Sequence, residues 1–249
     1  MKNFALQLYS VKDALENDFD GTLKAVADMG YDGVEFYGGY YGGLSGEQLK
    51  EKLEFYGLDA VSAHVGFEDL EENLDYHIDT LTKAGCRMIV CPWTEPKTVE
   101  EAEDIANRLL KIAEKCIIGG MEFGYHNHAH EFIKPDGENT LYDIMMSICD
   151  PLVLTELDLG WVAKAGFSPE EYIRKYTGRI TYLHLKQFSS ADESGKITTL
   201  ENGIVDFEKC IKTAKLMGCE HFIVEQDEIK DSELADAKAN IDYLKSLKI

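Results

Sequence analysis

Three of the chain's seven histidines fall within five positions, in the segment Gly-Tyr-His-Asn-His-Ala-His-Glu-Phe at 124–132. The segment follows a short apolar run at 121–123, which is typical of the start of a β-strand. Side chains alternate between the faces of a strand, so His126 and His128 point to one side and Asn127 to the other. Two imidazoles on one face suit a metal ion or a polar ligand, although a solvated polar loop explains these nine residues as well.

The rest of the chain repeats one pattern, a short apolar run, a polar loop and an amphipathic stretch. The apolar runs predict eight strands, at 4–9, 33–37, 58–65, 87–91, 122–126, 153–158, 180–186 and 221–225. Capping residues such as Ser45, Thr98 and Asp206 begin the helices between them, and Gly30 ends the first. Strict alternation predicts parallel strands joined by helical crossovers. Together with the length of 249 residues, it predicts an α/β fold with a single domain, 1–249, that is a closed (β/α)8 TIM barrel.

Polar residues recur at the ends of these predicted strands, where TIM barrels carry their functional groups. In chain order they are Gln7, Glu35, His64, His126, His128, Glu156, Asp158, His184, Lys186, Glu225 and Asp227. Charged residues are seldom buried unless they are paired or bound to metal. Two imidazoles and two carboxylates, from His126, Asp158, His184 and Glu225, form a ligand set for Mn, Co, Fe, Zn or Mg.

Each of these residues alone has a simpler explanation. Asp158 can cap the following turn, His184 can be a core histidine, and Glu225 can pair with Lys186. Two tryptophans follow strand ends, Trp93 and Trp161, and either wall a sugar pocket or pack a loop. His77 lies in a polar helix and His221 at the start of a strand, so we expect neither to be functional.

Composition excludes several classes of function. The chain has 46 acidic and 25 basic residues, and the formal charge of −21 opposes binding to nucleic acid or an anionic membrane surface. It suits a divalent cation, although solubility explains it equally. No apolar run approaches the roughly 20 residues of a membrane span, and the start of the chain resembles a strand rather than a signal peptide. Six cysteines without a C-x-x-C pair are typical of reduced, buried thiols, so we expect a cytoplasmic protein.

Four motifs resemble the xylose isomerase-like TIM-barrel superfamily, and within it the sugar phosphate isomerase/epimerase group that includes inosose dehydratase and ketose 3-epimerases. The motifs are Gly-Tyr-His-Asn-His at 124–128, Leu-Asp-Leu-Gly-Trp at 157–161, Gly-Arg-Ile and His-Leu-Lys within 178–186, and Val-Glu-Gln-Asp at 224–227. The resemblance implies a divalent metal held by His126, Asp158, His184 and Glu225. Three positions depart from the pattern. Many members have Glu at the place of His126, others have His at Trp161, and many have Asp at Gln187.

The resemblance implies a metal-dependent isomerase or epimerase that acts on a ketose, an aldose or a related polyhydroxy carbonyl compound through an enediolate. Glu225 is the expected base, with Lys186 as a further catalytic group. The expected substrate-binding residues are Gln7, Glu35, His64, Trp93, His128 and Trp161. Since no Gly-rich phosphate cradle is present, we expect an unphosphorylated substrate. A homo-oligomer is compatible with the sequence.

Three alternatives share the same scaffold. An inosose dehydratase-like lyase would form the same enediolate and expel water. An apurinic endonuclease-like hydrolase would need a basic surface, which the charge of −21 opposes. A catalytically silent sugar-binding protein would keep the pocket without turnover.

Overall fold

Eight parallel strands close into a barrel in the computed structural model, which describes residues 4–135 and 137–249. The barrel order is β1-β2-β3-β4-β5-β6-β7-β10, with β10 closing onto β1. A small antiparallel sheet, β8 with β9, lies between β7 and β10 in the chain. The strands are β1 (Phe4–Gln7), β2 (Gly33–Phe36), β3 (Asp59–His64), β4 (Met88–Cys91), β5 (Glu122–His126), β6 (Leu154–Asp158), β7 (Ile180–Leu185), β8 (Gln187–Phe188), β9 (Ile197–Thr198) and β10 (His221–Val224). The predicted fold is confirmed.

Helices follow the barrel strands and cover the outside. They are α1 (Lys12–Asn17), α2 (Phe19–Met29), α3 (Gly46–Tyr56), α4 (Phe67–Ala84), α5 (Val99–Ile118), α6 (Leu141–Ile148), α7 (Leu159–Lys164), α8 (Pro169–Lys175), α9 (Phe207–Leu216) and α10 (Glu233–Ser246). Side-chain caps begin most of them. Ser45 and Gln48 form a reciprocal capping box at α3, and Thr98 accepts from the Glu101 amide at α5.

The structure adds two helices and two strands to those expected from the sequence. The first predicted helix is split at Asp18, whose side chain caps α2. Helix α7 follows β6 without a loop, because Asp158 is both the last strand residue and the N-cap, accepting from Trp161 N. The β8–β9 sheet forms in a segment that carries no strong alternation in sequence.

Strand periodicity divides the barrel interior into layers. The inward face of β7 carries Tyr182, His184 and then Lys186, and that of β6 carries Leu154, Glu156 and then Asp158. The first residue of each series belongs to an apolar layer, in which the partly buried Leu154 packs against the buried side chains of Ala5, Val61, Met88, Val90, Tyr182 and Ile223. Each later residue is polar. The barrel therefore changes from apolar to charged over a step of two residues, roughly 7 Å along a strand.

Within the described residues, no helix is long and apolar enough to cross a membrane. The expectation that the chain starts with a strand rather than a signal peptide partly concerns residues 1–3, which lie outside the described part of the chain.

Candidate metal centre

The four predicted metal ligands meet at the carboxyl end of the barrel. One ligand atom from each residue lies within 4.8 Å of the other three, and all four residues are buried. The set is His126, Asp158, His184 and Glu225, which we call the mouth set. His184 Nδ1 lies 2.9 Å from Glu225 Oε2, and His126 Nε2 lies 3.9 Å from Asp158 Oδ2. Two nitrogen and two oxygen donors at this spacing fit a divalent cation.

Asp158 performs the capping role and leaves one oxygen for a cation. Its Oδ1 accepts from Trp161 N at 2.9 Å. Its Oδ2 is buried and has no hydrogen-bond partner among the described residues. A buried carboxylate oxygen without a partner is costly unless a cation or a ligand satisfies it. The two explanations that the sequence left open for Asp158 are therefore compatible.

Asn127, between the two histidines of the His-Asn-His motif, fixes the backbone of Asp158. Its Oδ1 accepts from Asp158 N at 2.9 Å, and its Nδ2 donates to Asp158 O at 3.4 Å. Asn127 is fully buried. It points away from His126, as strand alternation predicts, and ties the end of β5 to the end of β6.

Lys186 compensates the negative charge of the mouth. Its Nζ lies 2.8 Å from Asp227 Oδ2, 2.9 Å from Glu225 Oε2 and 3.7 Å from Asp158 Oδ2. Burial acts to lower the pKa of Lys186, but Glu225, Asp227 and Asp158 outweigh it and raise the pKa above its ordinary value. The lysine stays charged although it is only 1% exposed. The ammonium lies over the Trp161 ring at 5.3 Å.

The acids of the mouth differ in their affinity for protons. Burial raises the pKa of Asp158 to about 7, against the attraction of Lys186 and His184. Burial and the neighbouring Glu225 raise the pKa of Asp227 to about 6. Burial also acts to raise the pKa of Glu225, but Lys186 and His184 outweigh it and hold that pKa well below its usual range. Glu225 is therefore ionised, the form that both a metal ligand and a base require.

The two mouth histidines differ in the same way. Burial and the neighbouring His184 lower the pKa of His126 to about 3. Burial also acts to lower the pKa of His184, but Glu156 and Glu35 outweigh it and raise that pKa well above its usual range. His126 is thus a neutral donor near physiological pH.

A second polar cluster lies deeper in the barrel, which we call the inner cluster. Its members are fully or almost fully buried and consist of Gln7, Glu35, Ser62, His64 and Glu156. Glu35 Oε1 accepts from Gln7 Nε2 at 2.6 Å and from His184 Nε2 at 2.8 Å, and Glu35 Oε2 accepts from the Ser62 hydroxyl. Burial and the nearby Glu156 raise the pKa of Glu35.

Glu156 links the inner cluster to the mouth set. Its Oε2 lies 2.6 Å from His64 Nε2, 3.1 Å from His184 Nε2 and 3.2 Å from His126 Nδ1. Burial acts to raise the pKa of Glu156, but His184 and His64 outweigh it and hold the pKa well below its usual range. His64, His126, Glu156 and His184 also satisfy the spacing of a metal site, so two overlapping ligand sets share two histidines.

Aromatic rings line the rim above the mouth. Trp93, which is 49% exposed, packs against His128 with ring centroids 4.5 Å apart. Trp161 lies 5.2 Å from His128 and 4.6 Å from Phe188. His128 Nδ1 and Trp161 Nε1 are buried and find no hydrogen-bond partner in the described part of the chain. An apolar wall with a few unpartnered polar atoms is typical of a small-molecule site.

Comparison with known proteins agrees with this architecture. The model of the xylose isomerase-like TIM barrel family matches residues 23–247. The chain belongs to this family. An inosose dehydratase from Geobacillus kaustophilus (strain HTA426) is 29% identical over 229 residues, which cover 76% of this chain and 73% of that protein.

Two solved structures share the whole fold of this chain. A sugar phosphate isomerase/epimerase from Parabacteroides distasonis ATCC 8503 has a TM-score of 0.83 and 26% identity, covering 100% of this chain and 99% of that chain. A xylose isomerase-like TIM barrel protein from Mycobacterium smegmatis, solved in complex with magnesium, has a TM-score of 0.73 and 18% identity, covering 98% and 95% of the two chains.

Three residues of this family member lie deeper than the sequence suggested. We expected Gln7, Glu35 and His64 to contact substrate, but the structure places them in the inner cluster, where their polar atoms bond to one another and to Glu156. Each lies near the end of its predicted strand, yet strand tilt in a closed barrel sets a different depth for each strand end. Trp93, His128 and Trp161 do reach the rim.

Gln187, one of the three positions that depart from the family pattern, bonds through its side chain to the backbone of the loop that follows β7. Its Nε2 donates to Leu200 O and Val205 O, and its Oε1 accepts from Phe188 N and Val205 N. Gln187 therefore holds the loop that brings Phe188 onto Trp161.

Glu156 and Asp227 were recognised from the sequence as polar residues at strand ends, but neither was predicted to be a ligand, a catalytic residue or a substrate contact. Glu156 precedes Asp158 by two positions and so shares its face of β6, a signal that strand alternation supplies. The two histidines expected to be non-functional lie elsewhere. His77 bonds Tyr41 and Asp69 on the outside of the barrel, and His221 stacks on Tyr182 at its amino end.

Proposed function

We propose that the protein is a divalent-metal-dependent lyase that removes water from an unphosphorylated polyhydroxy ketone of the inosose type. One observation carries the proposal. Among the described residues of the mouth, Glu225, Lys186 and Asp227 form one connected group beside β7 and β10, with contacts of 2.8–2.9 Å at Lys186 Nζ. The neighbouring His126 and His128 have lowered pKa values, mainly because they are buried. Proton removal and proton donation are thereby concentrated on one side of the substrate site.

The residues of the mouth set fit a metal cofactor. The buried, unpartnered Asp158 Oδ2 and the mixed nitrogen and oxygen donors are the features that such an ion requires. When bound, a divalent ion supplies Lewis acidity that makes a carbon–hydrogen bond beside a carbonyl group more acidic. The magnesium complex of the Mycobacterium smegmatis protein supports a divalent ion on this scaffold.

The protein's own residues would then divide the proton transfers. Glu225 removes the proton from the carbon next to the carbonyl group, giving an enediolate. The charged Lys186 donates a proton to the hydroxyl group that leaves the next carbon, and that group departs as water. Asp227 accepts from Lys186 at 2.8 Å and holds its ammonium in place.

Charge at the mouth supports a substrate without phosphate. Lys186 is balanced by three carboxylates, Asp158, Glu225 and Asp227, so it has no surplus charge for a dianion. The unpartnered Trp161 Nε1 and His128 Nδ1 suit neutral hydroxyl groups instead. The names of curated relatives, inosose dehydratase, support a cyclic polyhydroxy ketone.

An isomerase is the second candidate, favoured by the likeness to the Parabacteroides distasonis protein. Moving a proton between neighbouring carbons on one face needs one base, which Glu225 provides. Epimerisation through two carboxylates on opposite faces is less suited to this site, because His126 replaces the second acid and its pKa is lowered to about 3.

Incubation of Mn-loaded protein with inososes and with unphosphorylated ketoses in deuterated water tests the proposal. We expect mass spectrometry to show that the inosose is converted to a product that has lost one water molecule. A product of unchanged skeleton mass that carries solvent deuterium would identify the isomerase instead. If the protein binds one of these compounds but turns over none of them, it is a sugar-binding protein without catalytic activity.

A further inference from the structure

The two histidines of the mouth set each have one ring nitrogen that faces the metal position and one that faces Glu156. His126 directs Nε2 toward Asp158 Oδ2 and Nδ1 toward Glu156 Oε2, at 3.2 Å. His184 directs Nδ1 toward Glu225 Oε2 and Nε2 toward Glu156 Oε2, at 3.1 Å. A neutral imidazole carries a single N–H. Metal binding at His126 Nε2 and His184 Nδ1 therefore directs both N–H groups toward Glu156 Oε2, and the N–H of His184 also toward Glu35 Oε1 at 2.8 Å.

We propose that Glu156 is a positioning residue that fixes the tautomer and orientation of both metal-ligating histidines. The inference rests on the proposed metal-dependent function and adds a residue that does not touch the metal or the substrate. Carboxylates that accept from the second nitrogen of a ligating histidine commonly fix the ring and strengthen the metal site. Glu156 meets both ligating rings, whereas Glu35 meets only the ring of His184.

The contacts of Glu156 favour positioning over a second metal ion in the inner cluster. Its Oε2 already meets three imidazole nitrogens, the third being His64 Nε2 at 2.6 Å. Its Oε1 is buried and has no hydrogen-bond partner within the described residues, so imidazoles provide the recorded anchors of the carboxylate. A metal ion at the inner set would also require His126 Nδ1 and His184 Nε2, and so would compete with the N–H groups that the mouth set needs.

The backbone supports the same role. The pairing of β6 with β7 shifts register between Thr155 and Glu156, and that of β2 with β3 shifts between Val34 and Glu35. Local irregularities of this kind re-aim side chains near functional sites. Glu35 and Glu156, which both meet His184, thus each follow a register shift.

Glu35 and Glu131 provide matched comparisons. Glu35 contacts His184 at 2.8 Å but does not bond to His126, so the loss of its carboxylate removes support from the His184 ring alone. Glu131 is an equally buried glutamate that accepts from Tyr125 Oη and His128 N, at 2.7 and 2.9 Å, and bonds neither ligating ring. Each can be replaced by glutamine with little change in shape.

Calorimetric titration of Mn into chelator-stripped protein tests the proposal. The parent should bind one ion per chain. Glu156→Gln should weaken Mn binding by about 10–100-fold, the usual cost of losing such a partner. Glu35→Gln should have a smaller effect, and Glu131→Gln should bind Mn as the parent does.

A Glu156→Gln protein with the affinity of the parent overturns the positioning role, and two ions per chain make the inner set a metal site instead. If the parent protein binds no divalent ion, the proposed metal-dependent function fails together with the positioning role. If the parent binds Mn and Glu156→Gln binds it equally well, only the positioning role fails.

A spectroscopic measurement on the parent protein tests the proposal even if Glu156→Gln does not fold. Long-range ¹H–¹⁵N spectra of the Zn-loaded parent should place the N–H of His126 on Nδ1 and that of His184 on Nε2. Assignment of either proton to the opposite nitrogen overturns the proposal without any variant.

Discussion

The two ends of the barrel interior differ in chemistry although one continuous ladder of strands forms both. At the amino end, Tyr182 and Leu154 pack in an apolar layer with Met88. Two residues further along their strands, β7 and β6 carry His184 and Glu156. The amino end can exclude water and stabilise the closed sheet. The carboxyl end buries charges at a cost that pairing only partly offsets. The charged layer at the carboxyl end therefore does not serve the stability of the fold, and a catalytic or binding role explains it better.

The comparison shows how burial produces different proton affinities within one cluster. Asp158 and Glu225 belong to the same mouth set, yet burial raises the pKa of Asp158 to about 7 whereas Lys186 and His184 hold that of Glu225 low. The difference follows from contacts. Lys186 Nζ lies 2.9 Å from Glu225 Oε2 but 3.7 Å from Asp158 Oδ2.

The largest expected effect is at the carboxyl end. Glu225→Gln removes the proposed base and should reduce turnover by roughly 10²–10⁴-fold, the usual scale for a general base. Metal content has to be measured beside the rate, because Glu225 is also a proposed ligand. A variant that binds metal and turns over as fast as the parent would assign Glu225 a ligand role alone, with Lys186 and His128 next to test.

The opposite pattern is expected at the amino end. Met88→Ala leaves a cavity in the apolar layer and should lower the free energy of unfolding by about 2–5 kcal/mol, measured by urea denaturation. Mn affinity of the folded variant should not change, because Met88 belongs to the apolar layer and not to the mouth set. A large loss of Mn affinity would show that the two ends are not separable.

Metal binding should depend on pH in the direction set by Asp158. With its pKa raised to about 7, this acid is mostly protonated at pH 6 and mostly ionised at pH 8. A metal ion needs the ionised carboxylate, and His184, whose pKa is also raised, must lose a proton before it can bind the ion, so the affinity should rise with pH across the whole range from 6 to 8. Calorimetry at pH 6, 7 and 8 checks this, and an affinity that is flat across the range is the contrary result.

The smallest effect is expected at the rim. Trp93→Ala removes a half-exposed ring that packs on His128, and should raise KM by up to about tenfold with little change in kcat. Phe55→Ala, which removes an exposed ring from α3 on the outside of the barrel, provides the matched control. Steady-state kinetics would refute a substrate contact for Trp93 if the two variants had equal KM.

Sequence patterns predicted the barrel and the gathering of the four mouth residues, because alternation fixes which side of a strand a residue faces. They did not predict depth. Gln7 and Glu35 lie near the ends of their predicted strands, as His126 does, yet they belong to the inner cluster. Depth depends on strand tilt and on the register shifts before Glu35 and Glu156, which no local pattern encodes. Helix α7 was missed for a related reason, since Asp158 belongs to a strand and caps a helix at once.

An anomalous difference map from a crystal grown with Mn would test the metal centre most directly. We predict a single peak about 2.0–2.2 Å from His126 Nε2, Asp158 Oδ2, His184 Nδ1 and Glu225 Oε2. A peak at His64 and Glu156, or none at the barrel mouth under saturating Mn, would contradict the account.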